Sequence, residues 1–218
     1  LIALSIVLSH RFLEADSWLR VAFGIISFGL ISSAVYIFND LVDIQNDREH
    51  STKRFRPMAS GDLSISEGVS AGLLSLALGC SIAFQLRSPS FGLILFAYLV
   101  TNILYSFWLK KTLVFDVVVL ALLYSVRLWA GAALIDEKLT FWIVSFSTFL
   151  FLSLAFLKRY SEIVGNGMND ERIPGRGYLN VDKNIVLVAG ISSTFVSMSF
   201  LALYLDSEYV RKGITEWI

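Results

Sequence analysis

Three aspartates, Asp40, Asp43 and Asp47, have the spacing of residues that share one face of a helix. Positions i, i+3 and i+7 lie within about 60° of one another around a helix axis. Carboxylates this close repel one another by roughly 1 to 4 kcal/mol per pair, depending on the local dielectric. A positive group is therefore expected between them. Mg²⁺ suits this position, because it takes one or two carboxylates and completes its coordination with water and phosphate oxygens.

A second charged group, Lys158, Arg159 and Glu162, closes a long apolar run. On a helix Lys158 and Glu162 are i, i+4 neighbours, so one interpretation is an ion pair at the membrane interface with the lysine stem along the apolar surface. The other interpretation is a binding site for an anionic head group, which would find its countercharge in the Lys158-Arg159 pair. The residues alone leave both interpretations open.

Further polar residues lie beside or within apolar runs. Tyr105 has the position of an aromatic anchor at the membrane surface, and Lys110, just beyond it, is the better candidate for a phosphate contact. Asp116 and Arg127 lie inside one run, where ionisable groups are costly and generally face a cavity or a partner. We interpret Asp116 as part of a polar cavity wall, and Arg127 as either ligand support or a helix-packing residue.

The elements that must position these residues are apolar helices. Hydrophobic residues make up 56% of the 218 residues, and the formal net charge is +0, a composition typical of a membrane protein. Seven continuous apolar runs approach the length that crosses hydrocarbon, and their lack of alternation argues against transmembrane strands. The runs cover residues 2–19, 20–38, 67–86, 91–109, 113–135, 141–157 and 185–205. The predicted fold is an all-α polytopic membrane helix bundle, a single transmembrane domain over residues 1–218.

The distribution of Lys and Arg predicts the orientation. These residues concentrate in segments 39–66, 110–112 and 158–184, which fall on one side of the predicted bundle. Because cytoplasmic loops carry the excess of Lys and Arg, we place loops 39–66 and 158–184, with the candidate site, on the cytoplasmic face of a bacterial inner or plasma membrane. The chain opens without Met or a basic flank, so we expect terminal segments outside it.

Several other kinds of site lack support in the sequence. The two histidines, His10 and His50, form no transition-metal set, and no phosphate loop, nucleophile elbow or His-Glu-x-x-His pair is present. The single Cys80 excludes a disulfide framework. Covalent catalysis therefore has no obvious agent. We predict no nucleic-acid partner, and a homo-oligomer is left open.

One segment of the sequence matches the pattern of a known family signature. It reads Asn39-Asp40-x-x-Asp43-x-x-x-Asp47, then Lys53-x-x-Arg56-Pro57-x-x-Ser60-Gly61. This segment resembles the first signature of the UbiA superfamily of intramembrane transferases. The resemblance implies an all-helical bundle of usually nine spanning helices around a central cavity, of which about seven lie in this chain. It also implies a Mg²⁺-bound diphosphate at the three aspartates.

The resemblance extends to one branch of the superfamily. Ordinary prenyltransferases of the superfamily carry a second Asp-rich motif, but the equivalent region here reads Lys158-Arg159-Tyr160-Ser161-Glu162. This sequence, together with residues 47–57, Tyr105, Lys110 and Arg127, is similar to the corresponding sequences in the branch of decaprenyl-phosphate phosphoribosyltransferase. The similarity implies transfer of 5-phosphoribose from phosphoribosyl pyrophosphate to a polyprenyl phosphate in the lipid bilayer. Pyrophosphate would be released, and the product would feed lipid-linked arabinose and cell-wall synthesis.

The resemblance also implies roles for the side chains. The three aspartates would hold one or two Mg²⁺ ions against the donor pyrophosphate, and Glu162 would hold Lys158 or a ribose hydroxyl. The remaining expected contacts are Lys53, Arg54 and Arg56 to the donor phosphates, Lys158 and Arg159 to the acceptor phosphate, and Asn39 and Asn46 to ligands or metal-bound water.

The sequence leaves two other functions open. One is a prenyltransferase that moves a prenyl group from a prenyl diphosphate to an aromatic or other acceptor. The other is a transporter whose charged residues line a pathway. The spacing of the aspartates and the lack of an evident internal repeat favour an enzyme over a transporter.

Overall fold

The structure, a computed structural model, describes residues 1–8, 14–49, 52–112, 114–165 and 177–207, and these residues form helices without a β-strand. Eight α-helices follow in chain order: α1 Leu4–Leu8, α2 Ala15–Glu49, α3 Pro57–Ser60, α4 Ile65–Gln85, α5 Pro89–Phe107, α6 Phe115–Leu134, α7 Phe141–Gly165 and α8 Lys183–Asp206. Short 3₁₀ turns at Lys53–Phe55, Leu109–Lys111 and Asn180–Asp182 precede α3, α6 and α8. The all-α prediction is confirmed.

Six helices of the described chain are long and apolar enough to cross a membrane, namely α2 and α4 to α8. About seven spans are predicted, of which the first, in the run 2–19, is expected to be incomplete or short. In the described part of that run the structure has the five-residue α1, and α2 then begins at Ala15. Residues 9–13 of that run lie outside the described part. The acidic Glu14 and Asp16 interrupt the apolar sequence and begin the next helix, because acidic side chains favour a helix N-terminus.

Helix α2 is much longer than the predicted run 20–38. Its 35 residues extend over roughly 50 Å at the rise of an α-helix, whereas the hydrocarbon core is about 30 Å thick. The predicted loop 39–66 therefore begins as three further helical turns, and the predicted loop 158–184 begins as the last two turns of α7. Within these two loops, residues 50–51 and 166–176 lie outside the described part.

The chain divides into two compact units. The described residues within 1–106 and 127–137 form the first unit, and those within 107–126 and 138–207 form the second, so that α6 contributes to both. In the first unit, α2 packs along α4. In the second unit, α7 packs along α8, with hydrogen bonds between Ser153 and Thr194 and from Ser197 Oγ to the Phe146 carbonyl oxygen.

Glycines on α4 allow the close packing of α2. Gly72 faces the Phe38 ring, and Gly79 lies against the backbone of α2, where its carbonyl oxygen accepts a hydrogen bond of 2.8 Å from Ser27 Oγ. Small residues permit such backbone approach between membrane helices, where packing rather than the hydrophobic effect drives association. This contact fixes the part of α2 that precedes the aspartates.

We expect Gly79→Ala to destabilise the first unit. The added Cβ would lie 2.7 Å from Ile31 Cγ1 and 3.0 Å from the Ser27 carbonyl oxygen, so the helices would have to separate. Overpacking of this kind costs about 1 to 3 kcal/mol, and thermal unfolding in detergent should show a lower Tm. Gly29→Ala is the control, because the described residues leave nothing within 4 Å of a Cβ there. An equal Tm for the two variants would contradict this account of the helix contact.

Candidate active site

Two of the predicted metal ligands converge on one atom of a basic residue. Arg56 Nη1 lies 2.7 Å from Asp40 Oδ1 and 2.8 Å from Asp47 Oδ2. The Asp47 side chain is 5% exposed, against 30% for Asp40 and 40% for Arg56. The aspartates are seven residues apart on α2, so the predicted common face is confirmed for this pair. The positive group between them in this structure is a guanidinium.

The turn after α2 places Arg56 at this position. A 3₁₀ turn at Lys53–Phe55 ends at Arg56, whose extended backbone is followed by Pro57 at the first position of α3. Proline suits that position because it needs no N–H donor there. Arg48, near the end of α2, donates from Nε to the Ala59 carbonyl oxygen at 3.2 Å. The turn is thereby fastened to the same end of α2 that carries the aspartates.

Two structural signals complete this segment. Gly61 ends α3 with a φ of +90°, a left-handed conformation that favours glycine. Ser64 and Glu67 then form a capping box at the start of α4, in which the Glu67 carboxylate accepts from the Ser64 N–H at 2.9 Å. The compact turn and the capped helix keep Arg56 close to α2.

The carboxylate pair fits a hard divalent cation. No group of three or more His, Cys, Asp or Glu side chains in the described ranges is arranged to hold a metal ion. Asp40 and Asp47 nevertheless direct two oxygens toward one point, and Mg²⁺ commonly uses one or two carboxylates plus phosphate oxygens and water. The arrangement therefore supports a cation whose coordination shell is completed by a bound ligand, rather than a metal site built from protein groups alone.

The other predicted residues of this segment differ in exposure. Asn39 accepts a hydrogen bond from Ser106 Oγ, which joins α2 to the end of α5. Asp43 and Lys53 are half-buried, and Asn46 and Arg54 are exposed. The Arg54 guanidinium lies 4.8 Å from the centre of the Phe55 ring. Ser106 is a contact to which sequence analysis assigned no role.

Two further predicted residues belong to the first unit. Tyr105 is half-buried near the end of α5. Arg127 is also half-buried, and its guanidinium lies 5.4 Å from the centre of the Phe28 ring and 5.9 Å from that of Tyr98. These cation–π contacts join α6 to α2 and α5. They favour the packing interpretation of Arg127 without assigning it a ligand.

The second unit holds a buried charged cluster. Arg159 and Asp116 are both fully buried, and Arg159 Nε lies 2.7 Å from Asp116 Oδ2 while its Nη2 donates to Asp116 Oδ1 at 3.2 Å. Arg159 Nη1 also donates to Glu162, which is 31% exposed. The guanidinium lies 5.7 Å from the centre of the Tyr178 ring. One guanidinium thus joins the first turn of α6, the end of α7 and the segment before α8.

This cluster differs from the predicted pairing at the end of α7. One of the two interpretations left open by the sequence was an ion pair of Lys158 with Glu162, whereas the structure pairs Glu162 with Arg159 at i, i+3. Lys158 is exposed on another face of the helix, because adjacent helical residues point about 100° apart. Lys110, in the 3₁₀ turn before α6, is half-buried. Asp116, which we interpreted from the sequence as part of a polar cavity wall, is fully buried and pairs with Arg159 in this structure.

Comparisons with known proteins identify relatives of several kinds. The chain is 40% identical over 191 residues to the uncharacterized protein y4nM of Sinorhizobium fredii, covering 87% of this chain and 37% of that protein. Nodulation protein NoeC of Azorhizobium caulinodans is 33% identical over 204 residues, 92% of this chain and 64% of NoeC. A decaprenyl-phosphate phosphoribosyltransferase of Mycobacterium tuberculosis is 34% identical over 148 residues, 66% of this chain and 47% of that enzyme. The chain thus spans less than two thirds of the length of each relative.

A match to a family model covers most of the chain. The UbiA prenyltransferase family matches residues 2–205, a range that includes all six candidate spans except the last residue of α8. The apolar helices make the chain an integral membrane protein. The chain belongs to the UbiA prenyltransferase family.

Proposed function

We propose that this protein transfers 5-phosphoribose from phosphoribosyl pyrophosphate to a polyprenyl phosphate, such as decaprenyl phosphate, and releases pyrophosphate. The reaction is Mg²⁺-dependent and takes place at the cytoplasmic face of the membrane. Its product feeds lipid-linked arabinose for cell-wall synthesis. The convergence of Asp40 and Asp47 on one point beside basic residues is the observation that carries the diphosphate part of this proposal.

The choice of substrates is supported by the relatives. Decaprenyl-phosphate phosphoribosyltransferases of Mycobacterium tuberculosis and Corynebacterium glutamicum are 34% and 32% identical to the chain, each over 66% of it. The region after the sixth predicted run also has basic residues where ordinary prenyltransferases carry a second Asp-rich motif. A carboxylate set and a separate cationic set suit two different ligands, a metal-bound diphosphate donor and an anionic lipid acceptor.

The proposed chemistry is a displacement at the anomeric carbon of the donor. The bond from this carbon to the pyrophosphate oxygen breaks, and the pyrophosphate leaves with the electron pair while an oxygen of the lipid phosphate forms the new bond. Mg²⁺, when bound, would neutralise the charge that grows on the leaving group. The acceptor oxygen is already ionised at neutral pH, so the step needs no strong base.

The charged residues of the proposed site divide between the two ligands. Asp40 and Asp47, with Asp43 on the same helix, would hold the cation, and Lys53 and Arg54 would bind donor phosphate oxygens. Lys158, exposed at the end of α7, binds the phosphate of the lipid acceptor. Arg159 keeps the end of α7 in place through its buried contacts with Asp116 and Glu162, so it supports this contact as a positioning residue.

One assay separates the proposed function from its alternative. Purified protein in detergent with Mg²⁺ is offered either phosphoribosyl pyrophosphate plus polyprenyl phosphate, or a prenyl diphosphate plus 4-hydroxybenzoate. We expect pyrophosphate release and a phosphoribosylated lipid only with the first pair, and no release when EDTA removes the metal. Turnover with the second pair alone would make the protein a prenyltransferase in the ordinary sense and would reject our choice of substrates.

We expect Lys158→Ala to raise the KM for the lipid acceptor by about tenfold or more, because a hydrogen bond to a charged group contributes about 1.5 to 3 kcal/mol. The KM for the donor should stay close to that of the wild type. Lys138→Ala is the matched control, since Lys138 is an exposed lysine before the opposite end of α7. If Lys158→Ala weakened donor binding alone, the two ligands would have to be exchanged between the carboxylate and cationic sets.

A further inference from the structure

Arg56 occupies the point that a metal ion would need. Its Nη1 atom is within 2.8 Å of one oxygen from each of Asp40 and Asp47, and a Mg²⁺ ion that used both oxygens would lie about 2.1 Å from each. Both positive groups are attracted to the same two oxygens. Because they cannot occupy one position together, a cation that uses both carboxylates must displace the guanidinium.

The burial of the three side chains indicates which of them moves. Asp47 is almost fully buried on α2, whereas 40% of the Arg56 side chain is exposed. The backbone of Arg56 is fixed, since its N–H donates to the Lys53 carbonyl oxygen at 2.9 Å and its own carbonyl oxygen accepts from the Ser60 N–H at 2.8 Å. Rotation of the arginine side chain would therefore release the carboxylates while the turn and α2 keep their structure.

We propose that Arg56 is an exchangeable counter-ion of the carboxylate pair. Without a divalent cation its single positive charge offsets the repulsion between Asp40 and Asp47 and holds the two carboxylates in one geometry. A divalent cation displaces it, and the released guanidinium then binds an oxygen of the incoming diphosphate. This inference rests on the proposed function in one respect, namely that the site receives a cation together with a diphosphate.

The exchange makes the two ligands cooperative. A cation that arrives alone must displace Arg56 into water, and its apparent affinity falls by the fraction of protein in which the carboxylates are available. A diphosphate offers the guanidinium a new charge-assisted partner, so it favours the same displaced state. Removal of Arg56 should therefore change the affinities for the cation and for the diphosphate in opposite directions.

The test compares purified wild-type protein with Arg56→Gln in detergent. Mn²⁺ is titrated alone, and the free ion is measured by electron paramagnetic resonance. We expect Arg56→Gln to bind Mn²⁺ about tenfold more tightly than the wild type, because the competing cation is gone. Inorganic pyrophosphate is then titrated calorimetrically at saturating Mg²⁺, and here the variant should bind about tenfold more weakly, because a charge-assisted contact is lost.

Matched variants make the result specific to the contact. Arg87→Gln removes the same charge at an exposed position beyond the end of α4, and it should leave the Mn²⁺ affinity within about twofold of the wild type because an exposed charge is screened. Arg56→Met keeps an apolar stem without the charge and replaces Arg56→Gln if that variant does not fold. Mn²⁺ binding that is unchanged or weaker in the neutral variants would overturn the proposal, since Arg56 would then only support the carboxylates.

The titrations contain no phosphoribosyl donor and no lipid acceptor. If the opposite shifts appear while the wild type fails to turn over phosphoribosyl pyrophosphate, the exchange of Arg56 stands and the proposed function is rejected. If turnover occurs as proposed but Mn²⁺ binding does not tighten in the neutral variants, the function stands and the exchange is rejected.

Discussion

Replacement of Asp47 by alanine is expected to lower kcat/KM by about a thousandfold or more, the scale that follows loss of a group that stabilises charge in the transition state. Asp47 is the more deeply buried of the two carboxylates that share Arg56, and α2 holds it in place. Without it, one oxygen of the convergent pair remains, and a cation there would be held mainly by water and substrate. The measurement is pyrophosphate release with the donor that the wild type accepts.

The control for this prediction is Asp62→Ala. Asp62 is an exposed aspartate of the turn after α3, and its carboxylate accepts from Ser60 Oγ at 2.7 Å. It should retain wild-type turnover, and Asp40→Ala should behave as Asp47→Ala does. Each variant should unfold near the wild-type temperature, because Arg56 keeps one carboxylate partner in either case. A folded Asp47→Ala protein that kept more than a tenth of the activity would exclude Asp47 as a metal ligand.

The common face of the aspartates could be predicted because it depends only on helical periodicity. Asp40 and Asp47 are seven residues apart, and this spacing fixes their side once the helix continues through them. The arginine between them could not be predicted in the same way. Arg56 reaches that point through a 3₁₀ turn and Pro57, and the direction of a turn depends on backbone torsions that a residue spacing does not encode.

The helix ends were predicted less well than the helices. A hydropathy window ends where charges begin, so it ended the second run at residue 38, whereas α2 continues to Glu49. Asp, Asn and Arg can extend a helix beyond hydrocarbon, because water solvates their side chains while the backbone hydrogen bonds continue. Helix α7 likewise extends from the predicted residue 157 to Gly165, and there the buried Arg159 is stabilised by its contacts with Asp116 and Glu162 rather than by water. Both candidate sites lie on these extensions.

Lys158 and Arg159 illustrate a second feature that could not be predicted from the sequence. As neighbours in a basic pair they received one role, the contact with an acceptor phosphate. A helix directs them to different faces, and only tertiary packing decides that Arg159 is fully buried while Lys158 is exposed. Asp116 is 43 residues away from Arg159 along the chain, and nothing in the spacing of the two residues predicts their contact.

Loss of Arg159 is expected to destabilise the second unit strongly. In Arg159→Met, Asp116 would be left as a fully buried charge without the guanidinium that now contacts both of its carboxylate oxygens. Removing one partner of a buried pair costs about 3 to 5 kcal/mol, which thermal unfolding in detergent should show as a large fall in Tm. Lys158→Met should change stability by at most about 0.5 kcal/mol, because Lys158 is exposed.

A double variant distinguishes a buried ion pair from a phosphate ligand. Replacing both partners of a buried pair by apolar residues is often close to neutral, so Asp116→Leu combined with Arg159→Met should recover most of the Tm lost in the single variant. If Arg159 served only to bind the phosphate of the lipid acceptor, the single variant would give a different result. Arg159→Met would then unfold near the wild-type temperature and raise the KM for the lipid, and the buried contacts of Arg159 with Asp116 and Glu162 would have to open during turnover.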